Sequence, residues 1–277
     1  MGTFASPLPK AGKPSLPRPP LGRWLSWAGL LLAAAFLLLP ILVIVPLSFG
    51  NQRYLAFPEA GQWSLRHYLT LFDGAWLLSI LQSLGLALAV GALSTALAFL
   101  FASGIWLRPR HRTLLTAIVL LPMLVPQVVS AMSIYYLDAR LGVLDSLLGV
   151  GFGHLLMALP YSLIALLVAY ARLDLSLYKA SRSLGAGLWE SLWRVLLPNV
   201  RGGLAGAFFM GFVMSWEEVV VTLFTSGLQV VTLPKRIWDG LRYDLDPAIA
   251  AVSTLMIALT LAVMLLRLFL ERRRPPS

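Results

Sequence analysis

Tyr178-Lys179-Ala180-Ser181-Arg182-Ser183-Leu184-Gly185-Ala186, running on to Val195-Leu196-Leu197-Pro198, is the longest basic interruption in a chain otherwise made of apolar runs. It reads as helix, turn, helix. Lys179 to Leu184 has helix-forming character, and Gly185 and Gly187 permit a sharp turn that a Cβ would strain. From there Leu188, Leu192 and Leu196 recur at i, i+4 and i+8, an apolar stripe beside Trp189, Trp193 and Arg194. Pro198 is placed to stop or kink that second helix. A short helical hairpin of this kind, set between two membrane spans, is suited to pushing against something outside the membrane.

The rest of the chain supplies the membrane. Mean hydropathy is +0.81, 58% of residues are hydrophobic and 12% are charged, about half the charge of an ordinary soluble domain. The 277 residues allow six spans of about 20 residues with loops, at about 24–49, 77–106, 114–137, 154–171, 203–226 and 248–270. The Pro-rich stretch 1–22 is expected to be disordered. Residues 23–74 hold the first span and a polar loop, 75–267 the core with its hairpin stretch 172–201, and 268–277 a basic tail. The second span is rich in small residues, including Gly85, Gly91, Ser94 and Ala98, and should be buried among other helices. Pro122 and Pro126 mark the third as a broken helix, tolerated at membrane depth where it lines a cavity. The intervening segment 138–153 reads as a loop, as does 227–247.

Six spans put alternate loops on opposite sides. Sixteen of the 22 Lys and Arg lie with the termini, 107–113 and 172–201, and six lie on the other side. The positive-inside rule therefore places both termini and the hairpin in the cytoplasm. The opposite, outer segment 227–247 mixes Trp238, Asp239, Asp244 and Asp246 with Lys235, Arg236 and Arg242. It reads either as the mouth of a path and a docking surface, its acids concentrating cations, or as an interfacial loop with belt aromatics.

Two acids remain, Glu217 and Glu218, inside the fifth span in the run Ser215-Trp216-Glu217-Glu218-Val219-Val220-Val221-Thr222. A carboxylate near mid-bilayer costs about 2.5–3.5 kcal/mol, so such groups normally face a bundle interior or a water-filled path. On one continuous helix neighbours point about 100° apart, so one acid faces the path and the other a partner or a backbone turn. A carboxylate beside the Trp216 indole suits an ammonium, to which the ring adds about 0.5–2 kcal/mol. Glu218 and Thr222 share a face, with Ser215 and Trp216 one turn away. A purely structural pair bonded to neighbouring helices is the alternative.

Two sets of residues carry a resemblance. Ala180-Ser181, Gly185-Ala186, Val195 and Leu197-Pro198 stand at the spacing of the E-A-A-x3-G-x9-I-x-L-P signature of permease subunits in binding-protein-dependent ABC importers. Lys179 replaces its Glu, and Ser181 one Ala. The run from Ser215 to Val221, with Leu233-Pro234, Ile237-Trp238, Asp246-Pro247 and Ala251-Val252-Ser253-Thr254, resembles the C-type permease of spermidine/putrescine importers, a likeness that covers about 75 to 267. The resemblance implies an all-α type I ABC importer permease in the bacterial inner membrane. It implies as partners a second permease, two cytoplasmic ATPase subunits that dock on the hairpin and hold ATP and Mg²⁺, and a periplasmic binding protein. The implied solute is polyamine-like, with an aminophosphonate or another organic amine as the alternative.

The chain has no P-loop run G-x-x-x-x-G-K-[ST] and no cysteine, which excludes P-loop ATP binding and thiolate chemistry. Topology accounts for the basic loops without nucleic acid. His67, His111 and His154 are far apart in sequence and read as loop or interface residues, not metal ligands. A membrane-embedded enzyme using the two acids, or an ion-coupled carrier, would each work without an ATPase.

Overall fold

The computed structural model describes residues 21–243 and 245–272; the disorder expected of 1–22 falls almost wholly outside them. Twelve helices follow in order among those residues: α1 Leu21–Leu47, α2 Arg66–Thr70, α3 Gly74–Leu107, α4 Arg112–Leu120, α5 Gln127–Leu141, α6 Leu147–Tyr170, α7 Leu175–Ser183, α8 Leu188–Asn199, α9 Arg201–Trp216, α10 Val220–Thr225, α11 Leu233–Tyr243 and α12 Ala248–Arg272. Three of them (Trp24–Leu47 of α1, α3 and α6) are long and apolar enough to cross a membrane, or five crossings if each bent helix pair is one span. Ala248–Ala262 of α12 is a shorter apolar stretch, at the place where the sixth span is expected.

The centre is a bundle of α3, α6 and α9. Ala98, Phe99, Ala102, Leu163, Leu166, Tyr170, Val200 and Ala207 form its main apolar cluster. Small residues allow the close approach: a Cβ on Gly211 would collide with Ser94 Oγ, and one on Gly91 would lie 3.1 Å from the Phe212 nitrogen. Hydroxyls then bond across the helices, Ser94 to Ser162 at 2.9 Å and Ser162 to the Ala207 carbonyl at 3.0 Å. In a bilayer, where apolar surface gains little from leaving lipid, such packing and bonding hold helices together.

Several expected boundaries shift. Residues 112–141 form two helices that meet at 93°, the break expected of the third span; Pro126 removes a backbone donor at the corner, and α5 restarts at Gln127. The loop expected at 138–153 shrinks to 142–146, because Gly149 and Gly153 belong to the packed face of α6 and not to a turn: a Cβ on either would collide with Val143 or Val221. The segment 227–247 is not all loop, since α11 occupies Leu233–Tyr243 and packs Leu233 and Ile237 against Trp76 and Ile249. The helix that Pro198 is expected to stop or kink ends one residue beyond it, at Asn199. The turn before Pro198, Leu192–Leu196, is a wider π-turn, and the chain bends by 80° only at Val200, between α8 and α9. The fifth span is not continuous: α9 stops at Trp216 and α10 begins at Val220.

Candidate functional site

The interruption at Glu217–Val219 is held open by side chains. Glu218 turns back on α10, and its Oε1 accepts the Val221 N–H at 2.9 Å while Oε2 accepts from Gln127 Nε2 at 2.7 Å. A carboxylate there meets unpaired donors and the positive end of the helix. It is 3% exposed. The Thr222 hydroxyl donates to the Glu218 carbonyl at 3.1 Å. His154, 1% exposed on α6, bonds through Nε2 to Thr222 Oγ1 and through Nδ1 to Ser215 Oγ, both at 2.9 Å. A hydroxyl has one proton. With that of Thr222 given to a carbonyl, the pattern assigns the imidazole as the Nε2–H tautomer, accepting from Ser215 at Nδ1.

The two acids are thus separated. Glu217 is exposed and opens on a cavity of about 340 Å³, whose wall also includes Met123, Gln127, Met157, Tyr161 and Met214. Glu218 reaches the same wall but is already bonded to the turn. Trp216 lies elsewhere: its ring stacks on Phe212 at 5.9 Å and 13° and packs with the cluster around Trp76 and Leu233. The carboxylate–indole pair expected for an ammonium is not brought together; the aromatic residue of the cavity wall is Tyr161. Sequence reading misses His154, Gln127 and Tyr161. It sets His154 at the start of a span. With α6 beginning at Leu147 the ring sits two turns inside, where a lone polar group needs partners.

At the segment expected to form the outer mouth, Asp239 and Asp246 line a second cavity of about 280 Å³ with Trp76, Lys235, Arg236 and Tyr243. Trp238 is exposed outside it, and Asp244 lies outside the described residues. Arg236 lies over the Trp76 ring at 5.6 Å and donates to Ser79 Oγ at 2.6 Å; burial lowers its pKa, against the pull of Asp246 and Asp239. Asp246 Oδ1 accepts the Ala248 N–H at 2.9 Å, at the start of α12. Nearby Asp145, with φ of 55°, receives four backbone N–H bonds from Gly227, Leu228, Gln229 and Val230 at 2.6–3.1 Å. Partial burial pushes its carboxyl up, but the four donors outweigh that and hold it at about 2.

The basic stretch is the helical hairpin its spacing predicts. Asp174 caps α7 through the Ser176 N–H at 2.8 Å. The helix ends with Ala186 N–H on the Ser181 carbonyl and Gly185 N–H on that of Arg182, both 3.1 Å, with Gly185 at φ +88°. This double closure needs the left-handed region that glycine enters freely. Ser181 and Ser191 bond between α7 and α8 at 2.9 Å. Lys179 and Ala180 are exposed, Leu197 is half-buried and Pro198 is exposed. Leu184, at 89% exposure, stands at the tip with exposed Trp189 and Trp193 behind it.

Known proteins resemble this chain in sequence and in fold. Residues 94–274 match the family described as binding-protein-dependent transport system inner membrane component. The chain is 26% identical over 241 residues to the spermidine/putrescine transport system permease protein PotC of Haemophilus influenzae, covering 86% of this chain and 93% of that one. It is 26% identical over 238 residues to the putrescine transport system permease protein PotI of Escherichia coli K12, covering 82% and 84%. Among solved structures, a chain of a bacterial ABC transporter that imports the acidic polysaccharide alginate superposes with a TM-score of 0.64 over 94% of this chain and 100% of that one. At 16% identity this likeness speaks for the fold alone.

Proposed function

Because this chain belongs to the family of binding-protein-dependent transport system inner membrane components, we propose that it is the permease subunit of an ATP-driven ABC importer for a small polycation of the polyamine type. The observation that carries the solute class is the free carboxylate of Glu217 on a cavity walled by Met123, Met157, Met214 and Tyr161. The carboxylate attracts an ammonium. Adaptable thioethers suit the methylene chain between two such groups. The names of the two relatives above support the same class. Ser215, Glu218 and Thr222 shape that wall, while Trp216, expected on the path, packs with Phe212 and the cluster around Trp76.

Trp238, Asp239, Asp246 and, by its place in the sequence, Asp244 form the outer mouth, where a periplasmic binding protein hands over its load. The hairpin meets one of two cytoplasmic ATPase subunits. Its exposed Leu184 and Trp189 are apolar side chains of the kind that mark a protein contact, while Trp193, also exposed, has its ring 6.5 Å from that of Phe99 in α3. Lys179, Ala180, Ser181, Gly185, Ala186, Leu197 and Pro198 set the shape of that contact. A second permease, a different chain, completes the path. ATP and Mg²⁺ act in the ATPase subunits, whose closure swings the hairpin and opens the path outward; this chain takes no cofactor and catalyses no reaction. Both termini and the hairpin lie in the cytoplasm, a placement that the charge asymmetry supports.

The test is uptake of labelled spermidine into proteoliposomes that hold the whole complex. ATP hydrolysis and uptake should both rise when the loaded binding protein is added. A rate indifferent to that protein, or accumulation by this chain alone, overturns the reading. Uptake of an aminophosphonate in place of spermidine would keep the importer and replace the solute.

A further inference from the structure

The break at Glu217–Val219 is a seam between two packing groups. On one side α9 belongs to the central bundle with α3 and α6. On the other, α10 packs with α5 and α6, where Val221 joins Ala131, Ile134 and Met157 in a separate apolar cluster. His154 bonds to both sides at once, through Ser215 in the last turn of α9 and Thr222 in the first turn of α10. The residue before it, Gly153, leaves the space that Val221 fills. The helix that carries this ring leads directly to the hairpin. From His154 to Tyr170 it runs about 24 Å at 1.5 Å per residue, with Pro160 inside it, and only Ala171–Asp174 separate its end from α7. At that end Tyr170 meets Trp106 edge-on at 5.9 Å, and Trp106 meets Tyr178 of α7 at 6.3 Å.

We propose that His154 is a positioning residue that fastens the Glu217–Val219 break to α6, so that displacement of α6 by the hairpin sets where the free Glu217 carboxylate points. The proposal rests on the transport reading above. The imidazole suits the task because it offers one donor and one acceptor at opposite edges of a rigid plane, and here each finds a hydroxyl across the seam. A hydrocarbon side chain would leave the buried Ser215 hydroxyl without that partner and uncouple α9 from α10. Glu218 and Gln127 hold the α10 side to α5. His154 reaches both helices, one through each ring nitrogen.

The test uses the complete complex and the absence of cysteine from this chain. Glu217→Cys is labelled with a cationic methanethiosulfonate, without nucleotide and with the ATPase trapped by ATP and vanadate. With His154 present, the labelling rate should differ at least fivefold between the two states. In the same background His154→Phe, which keeps the bulk and removes both nitrogens, should reduce the difference below twofold, and His154→Gln, which keeps one bond, should fall between. If His154→Phe does not assemble, Ser215→Ala and Thr222→Val remove the two hydroxyls with the imidazole in place, and together they should give the same collapse. In chains without the introduced thiol, His154→Phe should lower spermidine transported per ATP hydrolysed. A merely structural histidine would instead lower yield and melting temperature while the nucleotide-dependent difference survived, and that result overturns the proposal. So does a thiol at position 217 that labels at one rate in both states, in a complex whose parent transports spermidine. A parent complex without ATP-driven uptake fails the transport reading itself, and this proposal with it.

Discussion

The turn at Gly185 and the break at Glu217–Val219 both interrupt helices, and they are finished in opposite ways. Gly185 is closed by two backbone bonds and by the Arg182 guanidinium, which donates to the Ala186 carbonyl at 2.6 Å, and nothing lies within 4 Å of where its Cβ would stand. Its surroundings are exposed, apolar and basic, with Leu184 almost fully free. The break is closed by side chains from four helices and from itself: Gln127, His154, Ser215, Glu218 and Thr222 spend their polar atoms on one another or on freed backbone groups. A bend inside a bundle must satisfy its polar groups locally, since neither lipid nor packed neighbours supply water. A bend that meets a partner leaves its surface unfinished.

Glu218→Ala should break this contrast most severely. It strands the Val221 N–H and the Gln127 amide, at a cost of about 2–4 kcal/mol, read as a lower melting temperature of the purified complex. Glu218→Gln keeps an acceptor for Val221 and should lose far less; equal losses would mean that the break is not held by this cap. Gly185→Val comes next. A β-branched residue at φ +88° costs about 1–2 kcal/mol, a modest change in melting temperature, yet uptake should fall more than tenfold because the hairpin loses its shape. Normal uptake would remove the hairpin from the mechanism.

Asp145→Asn should be milder still, about 1 kcal/mol, since an amide oxygen cannot accept all four N–H groups. Its pH dependence has a definite sign. The folded carboxyl lies at about 2, below the ordinary 3.8, so its stabilisation is fully present above pH 3.8 and is lost as pH falls through the folded value. The difference in melting temperature between wild type and Asp145→Asn should therefore shrink from about pH 5 to about pH 2.5, and a constant difference would refute the nest. Smallest is Ser181→Ala, which restores the signature residue and removes the bond to Ser191: a loss of about 1 kcal/mol or less, with uptake kept.

These two regions are unequally legible in the sequence. Gly185 announces itself, because a turn that needs positive φ selects glycine and the spacing to Leu197-Pro198 is local. The helix break does not. Ser215 to Thr222 carries no glycine or proline, so its residues read as a continuous span; what unwinds it is Glu218 capping α10 and a ring donated from α6, 61 residues away from Ser215 in sequence. The same cause hides Gln127 and Tyr161. Pro126 flags a corner but not which side chains it turns inward. Trp216 misleads for a related reason, since its facing is inferred from an unbroken helix. Likewise Gly149 and Gly153 pass for loop residues, although their role is to let neighbouring backbone and α10 approach α6.

The measurement that bears most directly on the path is concentration-dependent uptake of labelled spermidine by proteoliposomes holding the complete complex, compared between wild type and Glu217→Gln with the loaded binding protein present. The exposed carboxylate makes no bond whose loss would unfold the bundle. Uptake should therefore fall at least fivefold while the binding protein still stimulates ATP hydrolysis. Uptake equal to wild type at every concentration would contradict a path that draws its solute past Glu217.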